Sequence, residues 1–248
     1  MHIMGYISTG YRQVCRRSRR ARVAAYAGDV DTDGRVRSYN ARRGRLSALT
    51  LERMEVLGPR HSIAADGPLV AQEAFGRTAP VVLEIGCGHG AAAVAYAVTH
   101  PGHDLLAVDV FIPALARMLA EADRRGLTNL WMHRGDAVEL LAERVAAASL
   151  TAVHVFFPDP WPKAKHARRR FISRDALDLV ASRLVPGGRL LVATDHDGYA
   201  AHVRSAFETH GGFVVTEGER PSWRPTDGFE DKGLVAGRQV SEFRAELR

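Results

Sequence analysis

The sequence predicts an α/β fold, a doubly wound Rossmann-like sheet that is mostly parallel with an antiparallel edge strand. Three observations predict it. From Val81 to Leu247, short β-rich apolar runs alternate with longer stretches of helical period. The first run leads into a glycine-rich turn, Gly86-Cys87-Gly88-His89-Gly90, that opens a helix. Acidic residues recur where successive strands end.

Val81 to Ile85 reads as a buried strand, and Ala91 to Val98 as the helix that follows the turn. Leu105 to Val110 is the next strand, and Pro113 to Arg125 a helix with proline in its first turn. Leu130 to His133 continues as a strand, Ala137 to Ala147 as a helix and Val153 to Phe157 as a strand. Ser173 is a good N-cap for a helix reaching Leu184. Pro186, Gly187 and Gly188 stop that helix before a strand from Arg189 to Thr194. A helix from Tyr199 to Thr209, then Phe213 to Thr216 and a segment ending in Val240 to Leu247, close the sheet edge.

Ahead of this domain, 81–248, stand an Arg-rich extension, 1–34, and an arm and lead-in, 35–80. The extension lacks acids before Asp29 and apolar periodicity throughout, so a solvated tail, a transit peptide and a nucleic-acid-binding arm all fit it. Gly58, Pro59, Gly67 and Pro68 mark Leu57 to Arg77 as a connecting segment. The 248 residues suit one core with appendages, and 46% hydrophobic with 25% charged residues excludes a fibrous or wholly disordered chain. A net charge of +6, from 34 basic against 28 acidic residues, favours polyanionic partners. Cys15 and Cys87 are too few for a disulfide framework, and no apolar run approaches the ~20 residues of a membrane-spanning helix. A cytoplasmic protein with no membrane partner is expected.

The turn has Gly86, Gly88 and Gly90 in G-x-G-x-G spacing, where a dinucleotide fold would show G-x-G-x-x-G. Glu84, Asp109, Asp136 and Asp159 fall at or just beyond the ends of four successive strands, and in an open parallel sheet these ends line one crevice. Asp109 is placed to accept both ribose hydroxyls of a nucleoside, and Asp136 to accept from an adenine amino group. Glu84 can orient the turn or meet a cationic part of the cofactor. An acid-lined pocket suits a positively charged sulfonium, which points to S-adenosylmethionine. The plainer alternatives are helix capping by Asp109 and Asp136, and a buried bridge from Glu84 to an arginine. No C-x-x-C or H-x-x-x-H arrangement supports a metal site.

After the fourth strand comes Phe156-Phe157-Pro158-Asp159-Pro160-Trp161-Pro162-Lys163, and then a basic run from Lys165 to Arg170. The prolines stiffen the loop and fix a carboxylate and an aromatic plane over the cleft. The run reads as a phosphate-tracking rim, and Trp161 either packs on the loop or stacks on a base.

The glycine turn, FFPDPWPKAKHARRR, Thr194-Asp195 with Tyr199, and Arg224-Pro225 with Phe229-Glu230 together resemble the bacterial tRNA (guanine-N7)-methyltransferases, from about Arg37 to the end of the chain. The resemblance implies a class I methyltransferase sheet acting on a guanine of the tRNA variable loop. It implies that Glu84, Asp109, Asp136 and Asp159 surround S-adenosylmethionine beside Gly86, Gly88 and Gly90, with Asp159 also the active-site acid. It further implies that Lys163, Asp195 and the segment Asp227, Gly228, Phe229 and Glu230 meet the substrate, while Lys165, His166, Arg168, Arg169 and Arg170 contact RNA. Asp227 and Gly228 stand where the family usually has threonine and a basic residue, and Asp109 replaces a more common glutamate. Rival readings are an RNA-binding scaffold without turnover, a small-molecule methyltransferase and, more distantly, a nicotinamide oxidoreductase. Monomer and homodimer both remain open.

Overall fold

The computed structural model describes residues 45–226 and 228–248. The Arg-rich extension, the start of the arm and Asp227 lie outside the described residues. The lead-in is more helical than its turn residues suggest. It forms α1 (Ala48–Val56), α2 (Gly58–His61) and α3 (Ala71–Phe75). Ser47 caps α1 by accepting from the Thr50 amide at 3.1 Å. The stretch between α2 and α3 is the connection proper, and Arg144 fastens it by donating to the carbonyls of Ala64, Ala65 and Gly67 at 2.8, 3.1 and 2.7 Å.

The domain then runs β1 (Val81–Ile85), α4 (Ala91–Thr99), β2 (Asp104–Asp109), α5 (Ile112–Arg124), β3 (Leu130–Arg134), α6 (Ala137–Glu143) and β4 (Leu150–Phe156). A 3-10 helix (Ala164–Arg169) precedes α7 (Arg174–Arg183), β5 (Leu184–Thr194), α8 (Asp197–His210), β6 (Phe213–Gly218), α9 (Gly228–Val235) and β7 (Ser241–Leu247). Among the described residues seven strands form one sheet in the order β3-β2-β1-β4-β5-β7-β6. The first five are parallel to one another, and β7 runs antiparallel between β5 and β6.

The alternating residues of the strands feed two cores. Val82, Leu105 and Ala107 join Leu115, Met118 and Leu119 of α5 on one face. Leu83, Leu106 and Val153 join Leu140, Leu177 and Val203 from α6, α7 and α8 on the other. With both faces covered, ligands have access at the strand ends, and the chain reverses its winding direction between β1 and β4. That reversal opens a crevice beyond their carboxyl ends.

Within the domain the bounds of two predicted elements differ most from the reading of the sequence, and α9 is an element that reading did not contain. The helix predicted to reach Ala147 ends at Glu143, where the backbone turns to the lead-in: the Arg144 carbonyl accepts from the Leu69 amide at 2.8 Å and Val145 bridges Leu69. The strand predicted to begin at Arg189 begins at Leu184, with Pro186 to Gly188 looped out of it. Leu150 pairs Leu184 and Ala152 pairs Arg189, so the two strands are out of step there, and Gly187 takes a φ of 73° to make the bulge.

Candidate active site

The glycine turn sits over the end of β1 and is held by β2. Gly86 and Cys87 donate to the Val108 carbonyl at 2.8 and 3.2 Å. Gly88 donates to Asp109 Oδ2 at 2.9 Å, while Asp109 Oδ1 accepts from the Phe111 amide at 2.8 Å. Asp109 is therefore a strut for the turn as well as an acid at the end of its strand. Gly90 shows why glycine is required: its φ is 78°, and a Cβ there would lie 2.2 Å from Met118 Cγ. At Gly86 and Gly88, by contrast, a Cβ would meet nothing within 4 Å, so the outer side of the turn is open.

Asp136 is the N-cap of α6, accepting from the amides of Val138 at 2.7 Å and Glu139 at 3.4 Å. The capping alternative thus describes what Asp136 does in this state. Glu84 is 2% exposed, and across the sheet it faces His154 rather than an arginine. Burial, and then the carboxylates of Asp109 and Glu84, push the Cys87 thiol well above its ordinary value, which makes it an inert filler of the turn.

The loop after β4 is rigid and strained. Phe157 and Trp161 adopt φ of 49° and 43°, left-handed values that cost non-glycine residues about 1–3 kcal/mol each. Several contacts hold them there. The Phe157 amide donates to the Ala193 carbonyl at 2.8 Å. Arg170 donates to the carbonyls of Pro160 and Trp161 at 3.1 and 3.3 Å. Trp161 is buried, with the Arg169 guanidinium 4.0 Å above its ring and the His166 ring edge-on at 5.6 Å. The basic run therefore divides. Arg169 and Arg170 turn inward as staples of the loop, His166 packs on the tryptophan, and Lys163, Lys165 and Arg168 are exposed beside the exposed Asp159. Of the two readings for Trp161, packing on its own loop describes this state.

Beneath the loop Tyr199 is fully buried, and its hydroxyl accepts from the Ile172 amide at 3.3 Å. Burial pushes that phenol above its ordinary value, and the Asp159 carboxylate adds to the rise. Asp195 follows β5 and accepts from Arg238 Nε at 2.8 Å. A Cβ at Gly233 of α9 would lie 2.8 Å from its Oδ2, so α9 passes directly over this acid.

Glu230 is buried on α9. It accepts from Arg224 at 2.7 Å and Arg220 at 3.3 Å, while Arg224 also bonds Glu242 of β7. The Arg224 guanidinium lies 5.0 and 5.3 Å over the rings of Phe156 and Phe157. Desolvation holds the Glu242 carboxyl above its usual range despite the arginine. Gly228 opens α9, and Asp227 and the side chain of Phe229 lie outside the described residues. Sequence reasoning missed three participants: His154, Trp223 and Arg238. Apart from Thr151, His154 is the single polar residue of an apolar strand, the pattern that signals only a core position.

A seven-stranded sheet with β7 reversed, a glycine turn over β1 and acids at the strand ends define a methyltransferase of class I architecture. The 16S rRNA methyltransferase KamB shares the fold, with a TM-score of 0.56 at 16% identity over 75% of this chain and 98% of its own. The aminoglycoside resistance methyltransferase NpmB1 does so with a TM-score of 0.50 at 15% identity over 71% of this chain and 91% of its own. Residues 78–242 match a family model described as "Putative methyltransferase". Proteins named tRNA (guanine-N(7)-)-methyltransferase are 45% identical in Mycolicibacterium gilvum, over 89% of this chain and 92% of theirs, and 38% identical in Nitrosomonas eutropha, over 84% and 95%. The chain belongs to the tRNA (guanine-N(7)-)-methyltransferase family.

Proposed function

We propose that this protein transfers a methyl group from S-adenosylmethionine to N7 of a guanine in the tRNA variable loop, in the cytoplasm, giving 7-methylguanosine and S-adenosylhomocysteine. The observation that carries the reading is the strained loop after β4, which holds an exposed Asp159 beside exposed Lys163, Lys165 and Arg168 at the crevice between β1 and β4. Family membership supports the substrate, and among the described residues no helix is long and apolar enough to cross a membrane.

The residues fit the cofactor. The glycine turn is open above Gly86 and Gly88, and the buried Glu84 Oε2 has no hydrogen-bond partner. Glu84, Asp109 and Asp136 would hold the group with Gly86, Gly88 and Gly90, and Asp159 would close the pocket from the β4 side. When bound, S-adenosylmethionine supplies a methyl on a cationic sulfur, which takes the bonding electron pair and leaves as a neutral thioether.

No residue has to act as a base, because guanine N7 carries a free lone pair at neutral pH. The protein's work is positioning, with the attacking nitrogen held ~3 Å from the methyl carbon. Methylation places positive charge on the purine, and the fixed Asp159 carboxylate stabilises it as it develops. Asp159 and Asp195 can also accept from the guanine N1 and N2 donors. Lys163 neutralises an adjoining phosphate, and Lys165 and Arg168 track the backbone. Glu230 and Arg169 act by holding α9 and the loop in place. Unmodified tRNA transcript incubated with radiolabelled S-adenosylmethionine, followed by nucleoside analysis, tests this: 7-methylguanosine is expected, and cofactor binding without methyl transfer refutes it.

A further inference from the structure

Among the described residues four buried side-chain polar atoms lack a hydrogen-bond partner, and two of them face each other. Glu84 on β1 and His154 on β4 are register partners in adjacent parallel strands. They are 2% and 1% exposed, and His154 Nδ1 lies 3.7 Å from Glu84 Oε2. That is too long for a hydrogen bond and roughly 0.8 Å longer than a good one. Two buried polar atoms that face each other without a hydrogen bond are a costly arrangement for a fold to keep unless some state of the protein uses them.

The ring of His154 is tightly confined. Trp223 stacks on it at 5.2 Å and 24°, Tyr96 of α4 meets it edge-on at 5.1 Å, and Phe156 lies tilted at 5.2 Å. The Tyr96 hydroxyl is engaged elsewhere, 2.7 Å from His103 Nδ1. These walls fix the plane of the imidazole and leave the Nδ1 edge directed at the carboxylate. Trp223 immediately precedes Arg224, the residue that holds α9 to β7.

We propose that His154 is a positioning residue for Glu84: its Nδ1–H closes onto Oε2 when the cofactor binds, fixing one carboxylate oxygen and leaving the other for a cationic or hydroxyl group of the ligand. Trp223 serves as the clamp that keeps the imidazole in plane. The inference rests on the reading of Glu84 as a cofactor-contacting acid.

The test is titration calorimetry of the full chain with S-adenosylhomocysteine, comparing His154→Asn with His154→Leu. Asn and Leu have nearly the same shape, and the Asn amide nitrogen stands where Nδ1 stands, so lost ring packing is common to both. His154→Leu is expected to weaken binding about tenfold and His154→Asn to stay within about threefold of the parent, the range for one hydrogen bond to a charged group. In a Glu84→Gln background the difference between Asn and Leu should shrink to less than about twofold, because the two residues act as a unit. Equal losses for Asn and Leu, with Glu84→Gln still weakening binding, overturn the proposal alone. Unchanged affinity in Glu84→Gln overturns the reading of Glu84 and the proposal with it. Trp223→Leu is a milder probe at a half-buried position and keeps both partners; about threefold weaker binding is expected, and unchanged affinity refutes the clamp.

Discussion

Replacing Arg224 by leucine removes the one cation shared by two buried carboxylates. Its side chain is 2% exposed, and those of Glu230 and Glu242 are 5% and 10% exposed, so the substitution takes the guanidinium from two interior acids and leaves Glu230 its weaker contact with Arg220. Breaking a buried ion pair in this way costs about 3–5 kcal/mol, and the loss of the cation over Phe156 and Phe157 adds about 1 kcal/mol. For a domain of this size such a loss lowers the thermal midpoint by about 10 °C. The sign of the pH dependence follows from Glu242, whose carboxyl is already raised in the folded protein. A raised acid destabilises the fold above its folded pKa, and that penalty fades as pH falls through it toward the unfolded value. Without Arg224 the Glu242 carboxyl rises further, so Arg224→Leu should be more harmful at pH 8 than at pH 5. Urea unfolding at the two pH values measures this, and adding Glu230→Gln with Glu242→Gln should restore much of the loss. A deficit below about 1 kcal/mol, or one independent of pH, would refute the buried-pair argument.

Asp159→Ala should abolish methyl transfer while tRNA affinity stays within about threefold, whereas Lys165→Ala with Arg168→Ala should raise the KM for tRNA and flatten its salt dependence by about one unit of slope per charge. Arg169→Ala, at a residue buried against Trp161, should lower kcat and leave that slope unchanged, which filter binding across a salt series separates from the exposed pair. Gly90→Ala combines a left-handed backbone with overlap on Met118 and should lose about 2 kcal/mol or more by chemical denaturation. Cys87 should react with a disulfide reagent far more slowly than a free thiol at pH 8, and unfolding should release it; fast labelling of the native protein would contradict its raised pKa.

Much of the architecture is legible in the chain because its signals are local. β1, α4 and the turn between them follow from Val81 to Val98 alone, where an apolar run, three glycines and an alanine-rich stretch each demand one conformation. The acids at the strand ends follow from counting, since each lies at or within a few residues of a recognisable strand. Helix α1 was hidden because it has no buried residue and hence no apolar stripe; its cap at Ser47 is its main local mark. The division of the basic run was hidden for another reason. Lys165, Arg168, Arg169 and Arg170 are alike in charge, and only the position of Trp161 in space decides which of them turn inward. Glu230 is the same case, an acid beside a motif whose direction is set by Arg224 and by a strand that arrives later in the chain.

That late strand gives the molecule an order of assembly. β6 pairs only with β7 among the described residues, and β7 must slide between it and β5. As the chain leaves the ribosome, β1 to β5 with their helices can already pair, so the half that carries the glycine turn can consolidate first. β6 then waits as a lone ribbon. The same insertion delivers Glu242 to Arg224, so α9 gains its anchor only when the sheet is finished. A nascent or truncated chain lacking β7 would thus be able to shape the glycine turn and the loop after β4 while α9, which passes over Asp195, was still unfixed.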